Sequence, residues 1–249
     1  MRISIVILTY NQRDTTLRCL ESLKVCMSKS DCEIILVDNG SSDDICKVVS
    51  RLYPDVRLLH FDRNLGVSVG RNAGLKNSHG QYLMILDNDT IASESAIGFL
   101  SHYLEQHPEV GIVAPKLTDI FGTVQNSFKP YPSIGVKLYN ILVGINRTSK
   151  AVTVPTEPIE PFYVIGAAQM FSREVYEAVG GFDEKIFYGP EDADFCMAVR
   201  ACGKKVVYNP AVTIVHDWQR RTTGNLVSSI AWKHISALWY FYRKHRRWI

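Results

Sequence analysis

What most constrains this chain is an alternation repeated over its first 115 residues, in which short β-branched runs are each followed by a segment with apolar residues at helical spacing. Parallel strands need a crossover between them, so this pattern predicts βαβ units on a mostly parallel sheet. The expected strands are Ile3 to Leu8, Glu33 to Val37, Val56 to Leu59, Tyr82 to Leu86 and Gly111 to Ala114. Helices carrying Leu17, Leu20 and Leu23, then Ile45, Val48, Val49 and Leu52, follow the first two strands, and further helices are expected over about 67–77 and 93–106. Thr9, Asp38, Asn64 and Asp87 each fall just past the carboxyl end of a strand, the edge where open α/β sheets bind ligands.

The second half reads differently. Residues 118 to 162 are rich in turns and proline, and the stretch Gly135 to Ile145 is undecided between helix and strand. Order resumes with Tyr163 to Phe171, helices over about 173–179 and 192–201, and strands near 205–208 and 212–215. A last helix is expected over roughly 226–245. With 249 residues, 46% of them hydrophobic, the chain can bury one large core. The expected organisation is a catalytic domain over 1–217, divided into a nucleotide-binding half, 1–115, and an acceptor half, 116–217, followed by a tail over 218–249.

Six cysteines form no CxxC pair and no His/Cys spacing of a zinc site, so they read as reduced thiols. The first apolar run is six residues long, too short for a signal peptide, and no 18 apolar residues run together. The expected location is the cytoplasm, extending to the inner face of the cell membrane. The net charge of +3 hides a division: seven basic and no acidic residues lie from Trp218 onward, leaving 21 basic against 25 acidic before it.

Several clusters carry chemistry. Asp87-Asn88-Asp89 ends an apolar strand in two carboxylates, hard ligands suited to Mg²⁺ or Mn²⁺ bound with a diphosphate; a solvated turn or helix cap explains the tripeptide equally. Glu191, Asp192 and Asp194 open a helix after a glycine- and aromatic-rich loop. The macrodipole accounts for one or two of them, and a general base that stays ionised at neutral pH for a third. Gly66, Gly70 and Gly74 are spaced to bring one helix face close to a neighbour, and they lack the GxGxxG spacing of a dinucleotide site. Arg71 reads either as a ligand contact or as a surface arginine, and His216 as a structural residue or a ligand. The other six histidines have no partner at useful spacing.

Taken in order, Thr9-Tyr10-Asn11, Val37 to Asp43, Asn64-Leu65-Gly66 with Arg71-Asn72 and Gly74, Leu86 to Asp89, Gly180 to Glu184, Gly189 to Asp194 and Val215-His216 resemble the family 2 glycosyltransferases of the GT-A fold. The resemblance covers roughly residues 3 to 217. It implies that Thr9, Tyr10, Asp38, Arg71, Asp87 and Asn88 bind the nucleotide-sugar, with Asp38 accepting from a uracil or thymine ring. Asp89, joined by His216, would hold a divalent metal, Mg²⁺ or Mn²⁺. Asp192 would be the catalytic base with Glu191 beside it, and the reaction would invert the anomeric centre. Gln219-Arg220-Arg221-Thr222 lacks the tryptophan of the processive synthases, which implies one sugar per encounter. The stretch from His216 to Arg221 is similar to that of bacterial rhamnosyltransferases of cell-surface polysaccharide synthesis, which implies a dTDP-rhamnose donor, with UDP-hexoses as rivals and a saccharide or lipid-linked saccharide as acceptor.

Two other classes fit the motifs less well. A sugar-1-phosphate nucleotidyltransferase would place a glycine in the first strand's loop, where Thr9 to Arg13 has none; a non-catalytic sugar-nucleotide binder would have lost its acidic motifs, and both are intact. In the tail, Trp232, Trp239, Tyr240, Phe241, Tyr242 and Trp248 interleave with basic residues, a mixture suited to an anionic membrane rather than nucleic acid. The rival readings are a helix packed on the domain and a homodimer contact.

Overall fold

A computed structural model describes residues 2–28, 31–131, 154–217 and 229–245, the last without side chains over 229–231. The undecided segment Gly135 to Ile145, the Gln219 to Thr222 stretch, and Arg246, Arg247 and Trp248 lie outside the described residues.

The first half alternates as expected: β1 (Ile3–Thr9), α1 (Arg13–Ser22), α2 (Lys24–Met27), β2 (Cys32–Asp38), α3 (Ile45–Leu52), β3 (Arg57–His60), α4 (Val67–Lys76), β4 (Tyr82–Asp87), β5 (Thr90–Ile91), α5 (Glu94–Gln106) and β6 (Val110–Thr118). There follow β7 (Phe128–Lys129), β8 (Tyr163–Val164), β9 (Ala168–Ser172), α6 (Arg173–Val179), α7 (Glu191–Ala201), β10 (Lys205–His216) and α8 (Ser229–His245). Among the described residues eight strands form one sheet in the order β3-β2-β1-β4-β9-β6-β10-β5, and β7 and β8 form a small second one.

Strands β1 to β4 are mutually parallel where they pair. The fifth predicted strand, β6, is not β4's neighbour: β9 runs antiparallel between them, pairing Met84 with Met170 on one side and Val113 with Met170 on the other. The two strands expected near 205–208 and 212–215 are one, β10, whose pairing with β6 jumps from Asn209 to Thr213 because Pro210 and its neighbours bulge out.

Period-two alternation sorts the side chains onto two faces. Ile3, Ile5, Ile7, Ile34, Leu36, Met84 and Leu86 pack with Cys19 and Leu20 of α1, Val49 of α3 and Leu100 of α5. Val6, Ile35, Val37, Leu83 and Ile85 pack with Leu75 of α4, Tyr176 of α6 and Phe195 of α7 on the other. The α4 glycines do what their spacing predicts, since a Cβ at Gly70 would lie 2.3 Å from Leu8 and one at Gly74 2.3 Å from Val6. That close seat brings Arg71, on the same helix, to the end of β4.

The tail helix packs on the domain. Phe241 and Tyr242 of α8 are fully buried with Ala193 of α7. Lys244 bridges Asp183 and Asp194, and His245 Nε2 lies 2.7 Å from Asp194 Oδ1. Its other face leaves Trp232, Ile235 and Trp239 exposed. No described helix is long and apolar enough to cross a membrane.

Candidate active site

The carboxyl ends of β1, β2, β4 and β10 meet the start of α7 along one edge. The β1 and β2 loops lock together: Ser42 N donates to Asn11 Oδ1 at 2.8 Å, Asn11 N to Ser41 Oγ at 2.9 Å, and Arg13 N to Asp43 Oδ2 at 2.8 Å. Tyr10 stands exposed above them, free to stack on a ring. Asp38 lies beneath, nearly sealed, its Oδ1 accepting from Ser41 N at 2.9 Å and its Oδ2 lying 2.9 Å from His60 Nδ1. Burial would raise the Asp38 carboxyl, but hydrogen bonds from Ser41, Cys46 and His60 outweigh it and hold it below the usual value.

Two of the expected ligand contacts, Thr9 and Asn88, also tie the scaffold together. Thr9 Oγ1 lies 2.8 Å from Thr16 Oγ1, and Asn88 Nδ2 donates to Thr16 Oγ1 at 2.9 Å and to Gln12 Oε1 at 3.0 Å. Both side chains are buried and turned to each other, tying β1 and α1 to the end of β4. The Thr9 hydroxyl and the Asn88 amide nitrogen are therefore engaged within the protein.

Asp87, Asp89 and His216 come together, with ligand atoms within 4.8 Å of one another, because β10 carries His216 alongside the β5 residue Thr90. Asp89 Oδ1 is buried with no hydrogen-bond partner and has His216 Nε2 3.3 Å away. A buried carboxylate oxygen between an imidazole and a second carboxylate fits a divalent cation, for which two oxygens and one nitrogen are an apt donor set. His216 Nδ1 lies 2.7 Å from Gln125 Oε1, whose amide nitrogen returns a 2.7 Å bond to the His216 carbonyl, so the ring is oriented from its far side. Burial opposes protonation of His216, but Asp89, Asp87 and Asp217 prevail and raise it above the ordinary imidazole value.

Arg71 is not a surface arginine. It is buried, and its guanidinium donates to Asp87 Oδ1 at 2.9 Å, to the Gly166 carbonyl at 2.9 Å and to Glu191 Oε1 at 3.2 Å. It therefore joins the two acidic centres across the cleft. Gly166 holds the other side, its amide donating to Asp192 Oδ2 at 3.2 Å, while Asp192 Oδ1 accepts from Ala193 N at 2.7 Å. Glu191 Oε2 accepts from Gly189 N at 2.8 Å.

The helix start does not keep this pair at ordinary carboxylate values. Burial pushes Asp192 up to about 6, against the Ala193 hydrogen bond and the attraction of Arg71. Burial and the neighbouring Asp192 push Glu191 up to about 7, with Arg71 opposing. Both carboxyls are thus held above the ordinary range, and Glu191 is the one held against the Arg71 guanidinium.

Sequence spacing missed His60, Ser41, Cys46, Gln125 and Gly166. All six histidines expected to have no partner at useful spacing meet one in the fold: His60 meets Asp38, His79 Glu33, His102 Glu105, His107 Glu109, His234 the Tyr188 carbonyl at 3.2 Å, and His245 Asp194. Only proximity to a strand end could have marked His60 and Ser41; nothing local marks Gln125.

The architecture is that of the GT-A glycosyltransferases. The chain superposes with a TM-score of 0.66 on the mannosyltransferase PcManGT from Pyrobaculum calidifontis, solved with GDP-Man and Mn²⁺, at 21% identity over 99% of this chain and 64% of that one. It thus spans less than two thirds of that protein's length. By sequence it is 26% identical to an N-acetylglucosaminyl-diphospho-decaprenol L-rhamnosyltransferase of Mycobacterium tuberculosis, over 98% of this chain and 85% of the relative. It is 25% identical to the dTDP-rhamnosyl transferase RfbF of Shigella flexneri, over 85% and 67%. The family model for glycosyl transferase family 2 matches residues 4–180, which include β1 through α6 and every strand end lining the cleft except that of β10, and the chain belongs to that family of glycosyltransferases.

Proposed function

We propose that this glycosyltransferase is a metal-dependent, inverting enzyme that moves one sugar from a nucleotide-sugar to an acceptor hydroxyl, with a dTDP-linked rhamnosyl donor preferred over UDP-hexoses. The observation that carries this reading is the pairing, through one buried guanidinium, of the Asp87, Asp89 and His216 cluster with a second centre holding a raised carboxyl. The donor preference rests on the two rhamnosyltransferase relatives. The first of them, by its name, acts on a diphospho-decaprenol, which favours a lipid-linked saccharide acceptor in cell-surface polysaccharide synthesis.

Asp89, with Asp87 and His216, would hold a divalent cation that supplies positive charge to the leaving nucleoside diphosphate. Asp38 would accept from the base and Tyr10 would stack on it. Asp192 takes the acceptor's proton as the acceptor oxygen bonds to the anomeric carbon. The bond from that carbon to the diphosphate breaks on the opposite face, and the diphosphate leaves with the electron pair. Glu191 and Arg71 fix the position of Asp192's helix turn.

Asp89→Ala tests the metal assignment. Calorimetry should show Mn²⁺-dependent dTDP or UDP binding by the native chain and its loss in the variant; unchanged Mn²⁺-dependent affinity would remove Asp89 from the site. Comparing the two nucleotides in the same experiment tests the donor preference.

A lipid-linked acceptor would also bring an anionic membrane to the exposed Trp232, Ile235 and Trp239 face of α8, beside Lys233 and Arg243. Trp232→Ala/Trp239→Ala should then cut co-sedimentation with phosphatidylglycerol vesicles several-fold without changing soluble activity. Equal sedimentation would leave α8 as a packed helix only.

A further inference from the structure

Asp38, Cys46 and His60 come from three elements, the end of β2, the second residue of α3 and the end of β3, and their ligand atoms converge within 4.8 Å of one another. Cys46 Sγ lies 3.2 Å from Asp38 Oδ2 and 3.8 Å from His60 Nδ1, and the third side, Asp38 Oδ2 to His60 Nδ1, is 2.9 Å. These atoms close a triangle rather than forming a chain.

Around a tetrahedral zinc ion, sulfur, nitrogen and oxygen ligands at their usual bond lengths stand about 3.4–3.6 Å apart. Each side of the triangle is within about half an ångström of that spacing. We propose that Asp38, Cys46 and His60 form a second metal site, selective for a thiophilic divalent ion such as Zn²⁺ and distinct from the oxygen-rich Asp87, Asp89 and His216 centre.

Two further features support it. The Asp38 oxygen outside the triangle is held by Ser41 N, so the ligating oxygen is oriented in advance. The His60 side chain is half exposed, which gives an ion a way in and leaves a fourth position for water. Binding breaks the Cys46 S–H bond, forms a sulfur–metal bond and releases the proton to solvent.

The consequence for activity rests on the reading of Asp38 as acceptor from the donor's base: a metal on Asp38 occupies the carboxylate the nucleotide needs. Zn²⁺ would then inhibit by competition with the donor, independently of the cation that the reaction requires.

Co²⁺ added to the full chain tests the site itself, because only a sulfur ligand gives thiolate-to-cobalt charge-transfer absorption in the near ultraviolet. That absorption should be present in the native chain, be displaced by Zn²⁺, and be lost in Cys46→Ser with its five other cysteines intact. His60→Gln should weaken Zn²⁺ binding by at least about tenfold. Absorption that is absent from the native chain, or that persists in folded Cys46→Ser, overturns the proposal.

A second arm separates it from the donor reading. Zn²⁺ should weaken dTDP or UDP binding by the native chain more than by Cys46→Ser, a comparison in which chelation by the nucleotide cancels. Cobalt absorption with equal nucleotide affinities in the two proteins supports the metal site and overturns Asp38 as the base acceptor.

Discussion

Asp192→Asn should lower turnover by about 10²–10⁴-fold, the usual worth of a positioned general base, while nucleotide affinity stays near native. The amide keeps the shape of the carboxylate and can accept one of the two backbone hydrogen bonds from Gly166 and Ala193. It cannot take a proton from the acceptor.

The loss should not come from unfolding. Burial has raised the Asp192 carboxyl, so the ionised form is the one the fold disfavours. Its unfavourable contribution grows as pH rises from the unfolded value to the folded one and is fully present above about 6. Asparagine removes that ionised group, which offsets the backbone hydrogen bond it gives up, and the thermal midpoint at pH 7 should stay near that of the native protein. In the native enzyme kcat/KM should decline as pH drops through about 6, where Asp192 gains its proton, and this acid limb lies above the ordinary carboxylate range. Retained turnover in Asp192→Asn, or turnover lost in step with the midpoint, would remove the base assignment.

Arg71→Ala should be the most destabilising single change in the cleft. The guanidinium is buried against Glu191, whose side chain is 8% exposed, and removing it leaves that carboxylate without a counter-charge. Breaking a buried pair by deleting one partner costs about 3–5 kcal/mol. Most of this belongs to Glu191, since the Asp87 side chain is 37% exposed and solvent screens it. Without Arg71, Glu191 is pushed further up and becomes protonated at neutral pH, which relieves part of the cost.

Arg71→Lys keeps one charge but has no planar fork to reach Asp87, the Gly166 carbonyl and Glu191 together, so it should recover only part of the stability and little of the activity. Urea denaturation of the two variants measures the stabilities. An Arg71→Ala protein as stable as the native one would show that Arg71 is not the link between the acidic centres.

Where the sequence reading held, it rested on local patterns. β1 to β4, α4 and α5 were placed within a residue or two because alternation and helical spacing are set by neighbours in the chain. The strand-end positions of Asp38 and Asp87 followed from those boundaries. The pattern Asp-Asn-Asp did not tell its three residues apart. Asn88 alternates to the buried side and bonds Thr16, while Asp87 and Asp89 face the cleft with His216. The arrival of β9 between β4 and β6 was not legible either, since which strand fills a sheet position depends on a return of the chain from residue 118 to residue 168.

By itself, then, the sequence determined the alternating α/β architecture, the strand-end edge that holds the candidate site and the family, because each is written in short-range periodicity and in motifs a few residues long. Tertiary structure alone decided what those residues touch. Arg71 became a bridge because Glu191 lies 120 positions away and folds onto it. His216 is oriented by a glutamine 91 positions earlier, and Asp38, Cys46 and His60 meet only because β2, α3 and β3 bring their ends to one point. Charge and hydrogen bonding act over a few ångströms in space, and the order of strands in the sheet sets which distant residues come within that reach.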